Sequence, residues 1–246
     1  MNNNNNIHII IQARMTSTRL PGKVLLPLCG KTVLEVVIAR LIKYKKNIII
    51  ATTSDGTEMP IIEVCRREGI KFYQGSTNNV LERYYLGAKK FNAGDKDIIV
   101  RITSDCPLID VNLLDNCIRM FECEKYDYVS NRLNRTIPVG LDVEVFSFKL
   151  LKYMNEKAEE DFEKEHVTPF VYLTQKSKYK LGSCEETINN SKYRITLDEL
   201  DDYKAIKEIY KKFDNRFDFN YEELIKLLKN NQYIVDINSS IKQKRV

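Results

Sequence analysis

Three basic side chains, Arg14, Arg19 and Lys23, crowd one turn in the stretch IIIQARMTSTRLPGKVLLPLCGKTVLE, residues 9–35. An apolar strand leads directly into them, so the charges gather where a buried element emerges. Backbone amides freed by such a turn, with two arginines and a lysine, can surround a triphosphate. Arg meets phosphate oxygens with a planar fork, and Lys supplies a compact charge. Pro21-Gly22 bends the chain so that Lys23 can point back into the site. The loop departs from the Walker pattern, because Ser17 stands at its first Gly and Val24 follows Lys23 where Ser or Thr is needed. It also lacks the further glycines of a dinucleotide fingerprint. Taken alone, the cluster fits a basic surface turn equally well.

Carboxylates recur after other strand-like runs. In IIVRITSDCPLID, Asp105 follows an apolar run, and Pro107 stops the strand from continuing. A carboxylate there suits Mg²⁺, a hard cation that takes one or two protein carboxylates and fills its remaining positions with phosphate oxygens and water. In YRITLDELDDYKAI, Asp198 repeats the order of strand, acid and helix. Either Asp serves equally well as a helix or turn cap, with Glu199, Asp201 and Asp202 favouring the positive helix end. In PVGLDVEVFS, Asp142 and Glu144 alternate with valines and are expected on one side of a strand. That spacing loosely resembles the Asp-x-Asp metal motif of glycosyltransferases, although a solvated strand face explains it too.

The elements that must position these groups alternate along the chain. Strands are expected at Ile7–Gln12, Asn47–Thr53, Lys71–Tyr73, Asp97–Arg101, Tyr126–Ser130, Val143–Phe146 and Tyr193–Thr196. Helices fall between them. Thr32 with Glu35 forms a capping box, Gly69 ends a helix that begins near Pro60, Asn78 opens a third and Asp110 caps a fourth. Further helices are expected over Glu160–Thr174, Glu199–Phe213 and after Asn220–Glu223. This order predicts an α/β fold with a mostly parallel sheet covered on both faces, whose ligands bind beyond the carboxyl ends of the strands.

Composition narrows the classes. A chain of 246 residues fits one large α/β domain. A net charge of +5, spread over small clusters interleaved with acids, argues against a nucleic-acid surface. No apolar run approaches a membrane span, and no signal peptide is visible. The six scattered cysteines form no CxxC pair, which points to reduced thiols and a cytoplasmic location. With only His8 and His166 present, a zinc site or a Ser-His-Asp triad is disfavoured.

Several motifs together carry a resemblance. ARMTSTRLPGKVL resembles the signature loop of the cytidylyltransferases that activate acidic sugars, the CMP-Kdo and CMP-sialate synthetases. SDCPLID, SNRLNRTIPVGLDVEVFS, EHVTPFVY and RITLDELDDY are similar to a sister group, the spore coat polysaccharide biosynthesis cytidylyltransferase-like family. The resemblance implies a Rossmann-like, GT-A-like nucleotidyltransferase fold, CTP as donor, Mg²⁺, an acidic sugar or phosphorylated acceptor and a possible homodimer. By motif position it assigns Ala13, Arg14, Arg19 and Lys23 to the triphosphate and Asp105 and Asp198 to the metal. Ser76, Asn78 and Arg83 fall near the base and ribose, and Asn131, Arg132, Asp142, Glu144 and His166 on the acceptor side. Arg14, Lys23 and Asp105 are the implied catalytic residues. Cys106 stands where the Kdo enzymes carry a second acid. The expected organisation is a disordered leader at 1–6, a nucleotidyltransferase domain at 7–214 with an acceptor-side lobe at 126–192, and a helical extension with a basic tail at 215–246. A metal-dependent glycosyltransferase and a catalytically inactive nucleotide-binding module are the alternatives.

Overall fold

Isoleucine and valine runs, stiff at χ1 and suited to a pleated surface, pair edge to edge. In the computed structural model, which describes residues 5–243, they build a seven-stranded sheet. Its strands are β1 (Ile7–Gln12), β4 (Ile48–Thr53), β5 (Lys71–Gly75), β6 (Ile98–Thr103), β7 (Tyr128–Ser130), β8 (Glu144–Ser147) and β9 (Leu181–Ser183). A small hairpin, β2 (Pro27–Leu28) with β3 (Lys31–Thr32), follows the basic loop. The helices are α1 (Val33–Arg40), α2 (Met59–Glu68), α3 (Val80–Lys90), α4 (Val111–Glu122), α5 (Phe148–Lys157), α6 (Asp161–His166), α7 (Leu200–Lys212), α8 (Tyr221–Asn230) and α9 (Gln232–Asp236).

The strand order is β5-β4-β1-β6-β8-β7-β9. Every neighbouring pair is parallel except those that involve β8, which runs against both β6 and β7. From β1 the chain steps outward to β4 and β5, then returns to the other side of β1 as β6. That reversal opens a crevice at the carboxyl ends of β1 and β6, where ligands of open α/β sheets bind. Because β8 is antiparallel, its first residues enter the same end of the sheet.

Alternation along the strands fills both faces. Ile9, Ile11, Ile48, Ile50, Val100 and Ile102 pack under α1, α2 and α4, whereas Ile10, Ile49, Ile99 and Phe146 pack under α3 and α5. A third cluster joins Leu28, Val33 and Val36 to Ile206 and Tyr210 of α7 and to Phe219, Tyr221 and Leu224 near α8. Apolar residues between 217 and 237 thus contribute to the core. No helix among the described residues is long and apolar enough to cross a membrane.

Most of the expected start and stop signals operate. Thr32–Glu35 is a capping box, Gly69 takes a left-handed conformation at φ 67°, and Asp110 accepts from Asn112 N and Leu113 N. Asn220 with Glu223 caps α8. Three expectations need correction. The cap of α3 is Asn79, not Asn78: its side chain accepts from Glu82 N at 3.0 Å. Residues 160–174 are not one helix, because α6 ends at Val167 (φ 72°) and a separate turn begins around Pro169. Pro169 disfavours helical geometry at Thr168 and lacks the N–H that a continuous helix would use. Tyr193–Thr196 is no sheet strand; it makes a single parallel bridge, Val139 with Arg194. Of the amino-terminal Asn run, residues 1–4 lie outside the described residues, while Asn6 N donates to Asp97 Oδ1 at 3.0 Å. In the basic tail, residues 244–246 also lie outside them.

Candidate active site

The crevice is a cleft of about 620 Å³. Its floor is the end of β1 and β6, and the loop after β1 forms one wall. Ala13, Arg14, Arg19, Lys23, Arg83, Asp105, Arg132, Asp142, His166 and Asp198 all line it. Ten of the residues singled out in the sequence thus converge on one space.

The loop is shaped by Gly22, whose φ of 68° is left-handed and costs little without a Cβ. Lys23 starts a short helical turn there and points inward. Its Nζ donates to Asp105 Oδ2 at 2.9 Å, Asp198 Oδ1 at 2.9 Å and the Leu197 carbonyl at 2.7 Å. All three ammonium protons are therefore in use. Burial disfavours the charge, but the two carboxylates raise the Lys23 pKa above its ordinary value. Burial likewise pushes Asp105 up, yet Lys23 and the Thr103 hydroxyl bring its carboxyl below the usual range. Arg19 reaches Asp198 Oδ1 at 3.1 Å, and Arg194 reaches Asp198 Oδ2 at 3.3 Å.

On the other side of the floor, Arg83 projects from α3. It is 2% exposed, and its Nε and Nη1 have no hydrogen-bond partner among the described residues. Burial lowers its pKa, and the charge of Arg14 nearby lowers it further. A buried guanidinium short of acceptors is costly unless an anion completes it. Arg83 and Arg14 together leave that place for a ligand.

The second half of the cleft carries Arg101, Arg132, Arg135, Asp142 and His166. Asp142 is clamped by both Arg135 nitrogens at 2.6 and 3.0 Å. Glu144 sits directly opposite Arg101 in the β6–β8 register and is 1% exposed. Its carboxylate accepts from Arg101, Arg132, the Tyr128 hydroxyl and Thr168. Burial would raise its pKa, but the two guanidiniums hold it at about 2. Asp142 and Glu144 do not sit together on one strand as expected: Asp142 precedes β8 and borders the cleft, and Glu144, the first residue of β8, is buried. Arginine takes up each of them, Arg135 on Asp142 and Arg101 with Arg132 on Glu144. His166 closes this end; burial lowers its pKa, with Glu165 opposing.

Four candidates stand away from the cleft surface. Ser76 Oγ accepts from Asn79 N at 3.1 Å and serves the start of α3. Asn78 is exposed and does not border the cleft. Asn131 is 1% exposed and spends its side chain on Leu141 O at 2.8 Å and Val143 N at 2.9 Å, stitching the loop before β8. Glu144 acts through the two arginines that it holds. Conversely, Arg101, Arg135, Arg194 and Gln243 belong to the site surroundings without having been singled out. Only Arg101 carried a signal, a charge inside an otherwise apolar strand.

Asp105 and Asp198 bring oxygens to one cation-sized point, the position that Lys23 Nζ takes. Among the described residues no three His, Cys, Asp or Glu side chains converge as a metal site. Two carboxylates in a cleft that Arg14, Arg19 and Arg83 also line are a donor set that suits Mg²⁺, which fills its other positions with phosphate oxygens and water.

Comparison with known proteins agrees with this geometry. The family model described as Cytidylyltransferase matches residues 8–245. An uncharacterized protein of Methanocaldococcus jannaschii is 38% identical over 239 residues, 96% of this chain and 95% of that protein. The spore coat polysaccharide biosynthesis protein SpsF of Bacillus subtilis is 35% identical, covering 92% of this chain and 95% of its own length. Among solved structures, a cytidylyltransferase from Leptospira borgpetersenii superposes with a TM-score of 0.89 at 33% identity, over 98% of this chain and all of that one. With a family model that spans nearly the whole chain, and relatives above 30% identity that are covered over almost their full length, the chain belongs to the cytidylyltransferase family.

Proposed function

We propose that the protein transfers CMP from CTP to an acidic sugar or a phosphorylated acceptor, with release of pyrophosphate, in the assembly of a surface glycan. The observation that carries this reading is the Lys23 ammonium held at 2.9 Å from both Asp105 and Asp198, in a cleft also lined by Arg14, Arg19 and Arg83. The glycan context rests on the similarity to the Bacillus subtilis spore coat polysaccharide protein.

An acceptor oxygen attacks the α-phosphorus of CTP; the new P–O bond forms as the bond to the β-phosphate oxygen breaks, and pyrophosphate carries the electron pair away. Arg14, Arg19 and Lys23 hold the phosphates in line and offset the charge that develops on the leaving group. Arg83 supplies a buried positive charge beside Arg14. Asp105 and Asp198 would hold Mg²⁺, which when bound supplies charge compensation on the phosphate oxygens. His166 lines the cleft, burial lowers its pKa and so favours the neutral imidazole, and it is our candidate to take the proton of a hydroxyl acceptor. A phosphate or carboxylate acceptor needs no base.

The test is pyrophosphate release with Mg²⁺, each of the four nucleoside triphosphates in turn and a mixture of acidic sugars and sugar phosphates. Release that requires both CTP and the mixture supports the reading. Tight CTP binding without turnover on any acceptor would favour an inactive nucleotide-binding module. Asp105→Ala is expected to abolish turnover while leaving the circular dichroism spectrum unchanged; near-normal turnover would remove Asp105 from the mechanism.

A further inference from the structure

The carboxyl-terminal extension reaches the cleft through a chain of buried polar contacts. Asn238 is 4% exposed and Asp202 is fully buried. Asp202 Oδ1 accepts from Arg194 Nε and Asn238 Nδ2, each at 2.8 Å. Its Oδ2 accepts from Arg194 Nη2 at 2.8 Å and from the backbone amides of Asp198 and Glu199, each at 3.0 Å. The second amide proton of Asn238 goes to the Arg194 carbonyl at 3.1 Å. Asn238 thus grips Arg194 at both ends, directly at its backbone and through Asp202 at its guanidinium. Gln243 accepts from the remaining side of that guanidinium.

A simple helix cap would need less. Glu199 and Asp202 complete the capping box of α7 by themselves, and neither Arg194 nor Asn238 is required for it. What the additional contacts accomplish lies at Asp198. With its fork fixed on Asp202, Arg194 presents Nη2 to Asp198 Oδ2 at 3.3 Å. That leaves Asp198 Oδ1 to Lys23 and Arg19 on the cleft side. The direction of the carboxylate is therefore set from behind, by residues that do not touch a substrate.

We propose that Asn238 is a positioning residue for Asp198, acting through Asp202 and Arg194, so that the carboxyl-terminal extension completes the nucleotide site. This rests on the cytidylyl-transfer reading, with Asp198 as one of the carboxylates that hold the divalent ion. Partners of metal-ligating carboxylates typically change metal affinity by about 10- to 100-fold when removed.

The experiment is Mn²⁺ binding in the presence of saturating CTP, followed by electron paramagnetic resonance, so no acceptor is needed. Asn238→Ala is expected to weaken Mn²⁺ binding by about tenfold. In an Asp198→Asn background the same change is expected to have no further effect, which a merely structural role would not produce. Arg194→Lys, which keeps the charge and loses the fork, should weaken binding like Asn238→Ala, and it carries the test if Asn238→Ala does not fold. Unchanged Mn²⁺ affinity in the single variants, or the same loss in both backgrounds, would overturn the relay. Wild-type Mn²⁺ affinity in Asp198→Asn would remove Asp198 as a metal ligand and the relay with it. The transferase reading would still stand or fall separately on CTP-dependent pyrophosphate release.

Discussion

At the scale of single residues, the ammonium of Lys23 has spent every proton on Asp105, Asp198 and Leu197. To reach a phosphate oxygen, as the proposed reaction requires, it would have to release at least one of them, which would link nucleotide arrival to cation entry. In Lys23→Ala the two carboxylates lose the charge that lies between them, and only Asp198 keeps cationic partners, Arg19 and Arg194. Mn²⁺ binding without nucleotide is then expected to tighten by about tenfold, since a single charge a few ångströms away is worth more than 1 kcal/mol. Unaltered affinity in a magnetic resonance titration would mean that the ion does not share the Lys23 position. A second prediction concerns Gly75. A Cβ there would come within 2.8 Å of Tyr73 Cε1 and 2.9 Å of Arg83 Cγ. Gly75→Ala should therefore push the Arg83 stem aside and weaken CTP binding by about tenfold in calorimetry, a loss of about 1.4 kcal/mol. Wild-type affinity would show that Arg83 does not bear on the nucleotide.

At the scale of elements, Glu144 of β8 links two strands and the segment after α6. Its carboxyl is held at about 2, against 4.5 in the unfolded chain, so its stabilising contribution is complete above pH 4.5. That contribution drains away as pH falls from 4.5 towards 2. Glu144→Gln should lower stability at pH 7 by about 3 kcal/mol, because Arg101 and Arg132 lose their counter-charge, and should flatten the acid limb of the melting curve in that window. An acid limb as steep as the wild type's would place the titrating group elsewhere. These elements also show what the sequence made legible. Caps such as Thr32, Asp110 and Asn220 read correctly because they bond within three residues of themselves. Helix termination at Val167 was hidden, although Pro169 was in view, because a run of apolar residues continued across it. Tyr193–Thr196 alternates like a strand but makes a β-bridge only to Val139 among the described residues, and pairing partners are not a local property. In the same way Arg135 and Arg194 look like surface charges until Asp142 and Asp202 are brought to them. Arg14 and Asp105 stand just after β1 and β6, where the parallel topology gathers chemistry, whereas Lys23 is brought there by the loop and Asp198 by a segment that is not a sheet strand.

At the scale of the molecule, the carboxyl-terminal segment is bound to the first helix. Arg40 of α1 is 7% exposed and donates to Ile109 O at 2.6 Å, Phe217 O at 2.9 Å and Phe219 O at 3.0 Å. Its guanidinium also lies 4.1 Å from the centre of the Phe219 ring. Arg40→Met leaves three buried carbonyls without a donor and should cost about 3 kcal/mol in denaturant unfolding. A loss near zero would mean that the apolar residues of α8 dock the segment unaided. The way the chain returns to the cleft has a practical side. Gln243, whose side chain meets Arg194, lies three residues from the last one, Val246. Gln243 itself lines the cleft, so an affinity tag fused at that terminus would follow within a few residues of it. A histidine tag in that place would bring a competing set of metal-binding imidazoles to an enzyme assayed with divalent ions, so purification handles belong at the other terminus.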